Sequence, residues 1–263
     1  MIEIVRALAP NPGPFTGSGT NTYLVGDGRN VVVIDPGPVI ESHADAVVAA
    51  LGDAEPRAVV VTHTHPDHAP AANPLAQRLG VPAMGHSPGP EFSPDVTLGD
   101  GDNVNARTFS LVAVHTPGHT ADHLCYLVGG ALFTGDHIMG GSTVVIEDAA
   151  AYMRSLRRVL ELAPARLLPG HGDELLDAVT AVQEYIAHRE ARERQILAAV
   201  ERGAHTLTGI TAVVYAGIEP TLRPAARRQV AVQLEKLAAE GRVRLLPDGA
   251  DPTGMIAVPG ETP

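Results

Sequence analysis

Short apolar, β-branched runs alternate with amphipathic stretches through the first two-thirds of the chain. Ile2–Leu8, Thr22–Val25 and Val31–Ile34 read as strands, the last two joined across Gly26-Asp27-Gly28-Arg29-Asn30 as a hairpin. Residues 39–51 carry apolar positions at helical spacing and stop at Gly52. Val59-Val60-Val61 is continuously apolar, which predicts a buried strand ended by Pro66. A helix is expected over 70–79, closed by Gly80, then short strands and turns over 81–106. Phe109–Val114 reads as a strand, His123–Val128 and Ala131–Thr134 as a hairpin over Gly129-Gly130, residues 149–161 as a helix and Ala165–Leu168 as a strand. Alternating strands and helices predict an α/β sandwich with helices outside two sheets.

From about residue 174 the pattern changes. Residues 174–202 form a long helical run stopped by Gly203, Thr206–Tyr215 a short helix, and Thr221–Glu240 another closed by Gly241. Arg242–Leu246 and Met255–Val258 read as strands around Pro247-Asp248-Gly249. Helices followed by a hairpin are the order of a winged-helix module. The expected division is therefore a sandwich domain over 1–173 and a linker helix with a winged-helix-like domain over 174–263.

Four of the predicted strands run into turns that carry histidine or aspartate. These are Thr62-His63-Thr64-His65-Pro66-Asp67-His68, His115-Thr116-Pro117-Gly118-His119-Thr120, Gly135-Asp136-His137 and Pro169-Gly170-His171-Gly172. One shared site above one edge of the sheets accounts for all four. Imidazole is the commonest metal ligand and carboxylate oxygen also suits zinc. His63 and His65, two apart, can aim at one metal, and Asp67 and His68 can reach a second beside it. Asp35, in Asp35-Pro36-Gly37, is a cap, a turn former or a partner of a metal-bound histidine, with the structural roles preferred. Asn11–Asn21 is rich in Pro, Gly, Ser and Thr; Gly17-Ser18-Gly19 is too sparse for a phosphate-binding signature, so the loop reads as a flexible rim.

Composition narrows the function. Hydrophobic residues are 44% and aromatics 3%, so the core is aliphatic. The net charge of −11 lies wholly in residues 1–183, with 9 Arg against 20 Asp and Glu, whereas residues 184–263 balance at 10 and 10. That acidity argues against indiscriminate binding to nucleic acid or an anionic membrane. Arg223, Arg227 and Arg228 are the one basic cluster in the winged-helix region, read as a solvated helix face. A single cysteine, Cys125, excludes an internal disulfide; with no signal peptide evident, a cytoplasmic setting is expected. No stretch approaches the ~18 consecutive apolar residues of a spanning helix.

The H-x-H-x-D-H run resembles the metallo-β-lactamase superfamily of metal-dependent hydrolases. The segments N-P-G-P-F-T, G-T-N-T-Y-L, T-P-G-H-T-A-D-H and Y-I-A-H-R-E-A-R-E-R-Q-I-L extend the resemblance, over nearly the whole chain, to the beta-lactamase-like protein 2 family. It implies an αββα four-layer sandwich, with His63, His65 and His119 on one metal, Asp67, His68 and His171 on a second, and Asp136 bridging. Gly118 allows a sharp turn beside His119, which favours it over His115. It further implies two divalent ions, with zinc favoured by the His-rich ligands, and Asp67 and Asp136 acting in catalysis. The ions would supply a hydroxide at neutral pH that cleaves an ester-like bond, and no Ser or Cys nucleophile is needed. The substrates implied are single-stranded RNA or a small-molecule thioester; scarce lysine (only Lys236) weakens the RNA case. Alternatives are a lactonase or β-lactamase-type hydrolase, a nucleic-acid-binding regulator with a metal-sensing site, and, last, a relative of flavo-di-iron oxygen reductases. His123 and His137 are candidates for touching substrate, donating a proton or packing; His188 for approaching the pocket mouth. His115 reads as structural or as a partner behind a metal ligand, His43, His86 and His205 as surface or core residues, and Cys125 as core. Removal of residues 174–263 is expected to alter substrate choice or solubility more than metal binding.

Overall fold

In the computed structural model, which describes residues 2–141, 143–247 and 255–260, two mixed sheets face each other. The first has the order β1 (Glu3–Leu8), β2 (Asn21–Gly26), β3 (Asn30–Ile34), β4 (Glu55–Val60), β5 (Ala83–Gly85) and β6 (Val96–Thr97). The second runs from its outer edge as β7 (Asn103–Asn105), β8 (Ser110–His115), β9 (Leu124–Val128), β10 (Ala131–Gly135) and β11 (Arg166–Pro169). Val25, Val32, Ile34 and Val60 of the first sheet meet Leu111, Leu124, Tyr126 and Phe133 of the second in one buried cluster. On the outer face of the first sheet, Val33, Val59 and Val61 pack on α1 (Glu41–Leu51) and α2 (Ala72–Leu79). On the outer face of the second, Val114, Leu132 and Leu167 pack on α3 (Ala149–Leu162) and α4 (Ala178–Glu201). These are the four layers that strands buried on both faces require.

Three boundaries differ from the sequence pattern for local reasons. The central strand begins at Glu55, not Val59. Pro56, which has no N–H to give, sits where the β3–β4 register shifts, and beyond it Val32 pairs with Ala58. The long helix begins at Ala178, because Leu175 first bridges Leu167 and Asp177 then caps, accepting from Thr180 N at 3.1 Å. The expected helix from Thr221 divides into a 3₁₀ turn, Pro220–Leu222, and α6 (Arg223–Ala239).

The C-terminal part has its own core. Ile196 and Val200 of α4, Ile210 of α5 (Leu207–Val214), Val230, Leu234 and Leu237 of α6, and Val243 and Ala257 of the hairpin β12 (Val243–Pro247) and β13 (Met255–Pro259) form it. Asp248 and Gly249 of the expected hairpin turn lie outside the described residues. One face of α6 is turned to the sandwich: Val232 packs in the cluster built on α3, and Arg228 pairs with Glu147 at 3.0 Å. Lys236 is ion-paired with Glu193 and Glu240. Among the described residues no helix is long and apolar enough to cross a membrane.

The two sheets are bonded together at the edge where the histidine turns emerge. Tyr126 OH donates to Val61 O at 2.7 Å, and Leu124 N to Thr62 O at 2.7 Å. Tyr23 OH and Asn21 Nδ2 both donate to Pro169 O, at 2.8 and 2.9 Å. Tyr126→Phe leaves a buried carbonyl without its donor, and urea unfolding should show a loss of about 1–2 kcal/mol with metal uptake unchanged.

Candidate metal centre

Each of the four turns delivers a side chain because its backbone can do what a regular strand cannot. After β4, His68 N and Ala69 N both donate to His65 O, which folds the loop back over the sheet edge. Gly118 has φ 133°, and a Cβ there would lie 2.4 Å from Tyr152 N. At Gly170 a Cβ would lie 2.6 Å from His68 Cε1 and 3.0 Å from Asp136 Oδ1. Only glycine lets these two turns close on their neighbours.

The donor atoms fall into two groups. His63 Nε2, His65 Nδ1 and His119 Nε2 lie 3.0–3.2 Å from one another, with Asp136 Oδ2 3.7 Å from His119 Nε2. His68 Nε2 and His171 Nε2 lie 3.2 Å apart. Asp67 Oδ2 is 3.0 Å from His171 and 3.5 Å from His68, and Asp136 Oδ1 is 3.3 Å from both. Asp136 thus offers one oxygen to each group. All seven residues singled out in the sequence come together, and either group could hold a metal ion.

The rear nitrogens show why. His119 Nδ1 donates to Val145 O at 2.6 Å and His171 Nδ1 to Gly19 O at 3.2 Å. Thr62 OH donates to Asp35, so its oxygen accepts from His63 Nδ1 at 3.0 Å. In neutral rings each proton then sits at the back and the inner Nε2 atoms face one another as bare lone pairs. Three nitrogens on a tetrahedral zinc at 2.0–2.1 Å lie about 3.3 Å apart, close to the spacings here. Lone pairs at that separation repel unless a cation lies among them. The buried Asp136 Oδ1, which has no hydrogen-bond partner, fits the same demand.

Electrostatics follow the burial. Burial, then the neighbouring imidazoles, holds His63 well below the usual histidine range. Burial works against charge on His68 too, but Asp136 and Asp35 outweigh it and raise its pKa well above normal. Burial likewise opposes ionisation of Asp136, yet His68, His119 and His171 keep it far below the usual carboxylate range.

Asp35 corrects the sequence reading. It is neither cap nor simple turn former. It sits at φ 49° with a buried carboxylate that accepts from Thr62 N and Thr62 OH, each at 2.7 Å, and meets His68 Nδ1 at 3.0 Å. That contact leaves His68 Nε2 for the site. The loop read as a flexible rim is also tied down, by a Gly13–Gly17 bridge and by Gly19 O on His171. Neither contact has a sequence signal, since backbone carbonyls are common to every residue; nor has Asp122, whose Oδ2 accepts from Thr64 N at 3.0 Å.

The remaining histidines lie outside both groups. His123 is fully buried, stacks on His63 at 5.1 Å and bonds Thr116 Oγ1 through Nδ1. His137 is buried beside Tyr152, and burial brings its pKa down to about 3. Both pack behind the site, so of the roles open to them the structure favours packing. His115 turns away to Ala121 O and stacks on His86 at 4.4 Å. His188 is exposed and lines a cavity with Met139, Thr143 and Tyr185. Cys125 is buried, which pushes its thiol up to about 12.

Comparison with known proteins agrees with this geometry. Residues 15–171 match the metallo-beta-lactamase superfamily, and residues 206–250 the beta-lactamase associated winged helix domain. A beta-lactamase-like protein 2 homolog of Drosophila melanogaster is 34% identical, over 92% of this chain and 90% of its own length. An atrochrysone carboxyl ACP thioesterase of Aspergillus chevalieri is 34% identical, over 79% of this chain and 68% of its own. The crystal structure of a beta-lactamase domain protein from Burkholderia ambifaria shares the fold, with a TM-score of 0.83, 20% identity, and coverage of 98% of this chain and 91% of that one.

Asp35→Asn should keep the fold and weaken metal binding by about 10–100-fold, because the amide no longer fixes His68 as the carboxylate does. Competition against a chelator of known affinity measures this, and circular dichroism checks the fold.

Proposed function

The chain belongs to the metallo-β-lactamase superfamily and is a metal-dependent hydrolase; on that premise we propose that it hydrolyses thioesters, using two zinc ions held by His63, His65, Asp67, His68, His119, Asp136 and His171. The observation that carries the two-ion reading is the placement of Asp136, one oxygen toward each donor group. Five imidazoles and two carboxylates suit zinc, although manganese or iron also accepts such a set. When bound, two such ions supply an acidified water and polarise the scissile oxygen. The chain's residues do the rest. Asp136 stays ionised between the groups. Asp67, the more exposed of the two acids, is placed to orient the attacking water and take its proton. Cys125 is buried and supplies no nucleophile.

A cavity lined by Val145, whose carbonyl holds His119, supports the thioester reading. This cavity, of about 260 Å³, lies between the sandwich and the C-terminal part. Phe15, Val145, Ile218 and Leu222 give it apolar walls, and Arg189 and Arg192 also line it. Its walls belong to the segments that hold His119 and His171, through Val145 O and Gly19 O. An acyl group suits such walls better than a row of phosphates does. The acidic surface and the ion-paired Lys236 point the same way. So does the α6 face docked on the sandwich, which leaves the regulator reading without its nucleic-acid surface on that side. The thioesterase activity in the name of the Aspergillus relative adds to this reading. We take residues 1–173 as the hydrolase domain and 174–263 as the helical and winged-helix part.

The test is a substrate panel with metal-loaded protein: an acyl thioester, single-stranded RNA, a lactone and a β-lactam, each with and without chelator. Chelator-sensitive thioester cleavage that varies little with salt is expected, and His63→Ala or Asp136→Ala should abolish it and lower metal content. RNA cleavage that falls steeply with salt, with thioesters untouched, would replace the thioester by a phosphodiester.

A further inference from the structure

Residues 144–147 lead into α3 without regular secondary structure, and they are held from two sides. On the catalytic side, His119 Nδ1 donates to Val145 O at 2.6 Å, and Glu147 N and Asp148 N donate to Gly118 O at 2.7 and 3.1 Å. On the other side every partner comes from the C-terminal part. Arg189 Nη2 of α4 donates to Val144 O. Gln229 of α6 takes both peptide groups of Ile146: its Oε1 accepts from Ile146 N at 3.2 Å, and its Nε2 donates to Ile146 O at 2.9 Å. Arg228 pairs with Glu147 at 3.0 Å. Gln229 is 8% exposed and Arg189 6%, so both grips are made away from water.

The carbonyl that orients His119 therefore lies between two residues whose backbones are fixed by the C-terminal part. A buried side-chain amide bonded to both groups of one residue leaves that residue little freedom to rotate. Val145 O follows, and with it the tautomer and tilt of the His119 ring.

We infer that Gln229, with Arg189, is a positioning residue for the metal centre, and that the winged-helix part acts on metal affinity through the 144–147 strap. The inference rests on the reading above that His119 is a metal ligand. It changes the sequence expectation for residues 174–263, which become part of what builds the site and not only of what selects the substrate. The effect should be confined to the group containing His119, because His68 and His171 are held by Asp35 and Gly19 instead.

The test uses the full-length protein loaded with cobalt(II), whose absorption bands report ligand geometry. Gln229→Leu keeps the volume and removes both hydrogen bonds. It should weaken one of the two bound ions by about 10–100-fold and shift its bands, leaving the other ion unchanged. Gln229→Glu retains the acceptor for Ile146 N and should give a smaller loss, a second route to the answer should the leucine variant fold poorly. Leu237→Ala, which loosens the C-terminal core away from the strap, should lower the unfolding midpoint with neither ion affected. Placed in a His119→Ala background, Gln229→Leu should add nothing. Wild-type affinities and spectra in both Gln229 variants would overturn the inference, as would an equal loss in Leu237→Ala. If His119→Ala itself bound both ions normally, the ligand reading would fail, and that result is distinct from the other two.

Discussion

An ionised carboxylate buried among imidazole lone pairs is the constraint on which this structure depends. Asp136 is almost inaccessible, one of its oxygens has no hydrogen-bond donor, and five imidazole rings from three other turns converge on it. Burying a charge without compensation costs several kcal/mol. A divalent cation among these groups would supply that compensation, and it would also quench the repulsion among the facing nitrogens. The same arrangement that is unfavourable without a cation is what would favour binding one.

Much of the surrounding architecture holds this arrangement in place. The two sheets place the ends of β4, β8, β10 and β11 at one edge, and Tyr126, Tyr23 and Asn21 bond the sheets across that edge. Glycine at 118 and 170 brings the turns within reach. Asp35, Thr62, Gly19 and Val145 hold the rear nitrogens and so decide which nitrogen faces inward. The C-terminal part holds the residues on either side of Val145, which joins its docking to the geometry of the site.

The sequence showed the candidate ligands more clearly than the groups that hold them. His63, His65, Asp67 and His68 are legible because four donor residues follow a β-branched run within six positions, and few folding requirements produce such a cluster. The layering was legible because strand-like apolar runs alternate with amphipathic helical stretches. The start of β4 was not, since Pro56 and Arg57 lie outside the apolar run and join the strand across the β3 register shift. Asp35 was weighed and its site contact put second, because aspartate before Pro-Gly is a common turn and its partner His68 lies 33 positions away. Val145 and Gln229 were invisible for a different reason. One acts through a backbone carbonyl, and the other through an amide whose partners are set by how two parts of the chain dock.

The central claim is that two cations share the Asp136 carboxylate. Anomalous diffraction at the zinc edge from metal-loaded crystals tests it most directly. The account predicts two peaks about 3.5–4 Å apart, one among His63, His65 and His119, the other among Asp67, His68 and His171, with Asp136 between them. A single peak at full occupancy, or peaks remote from Asp136, would contradict it.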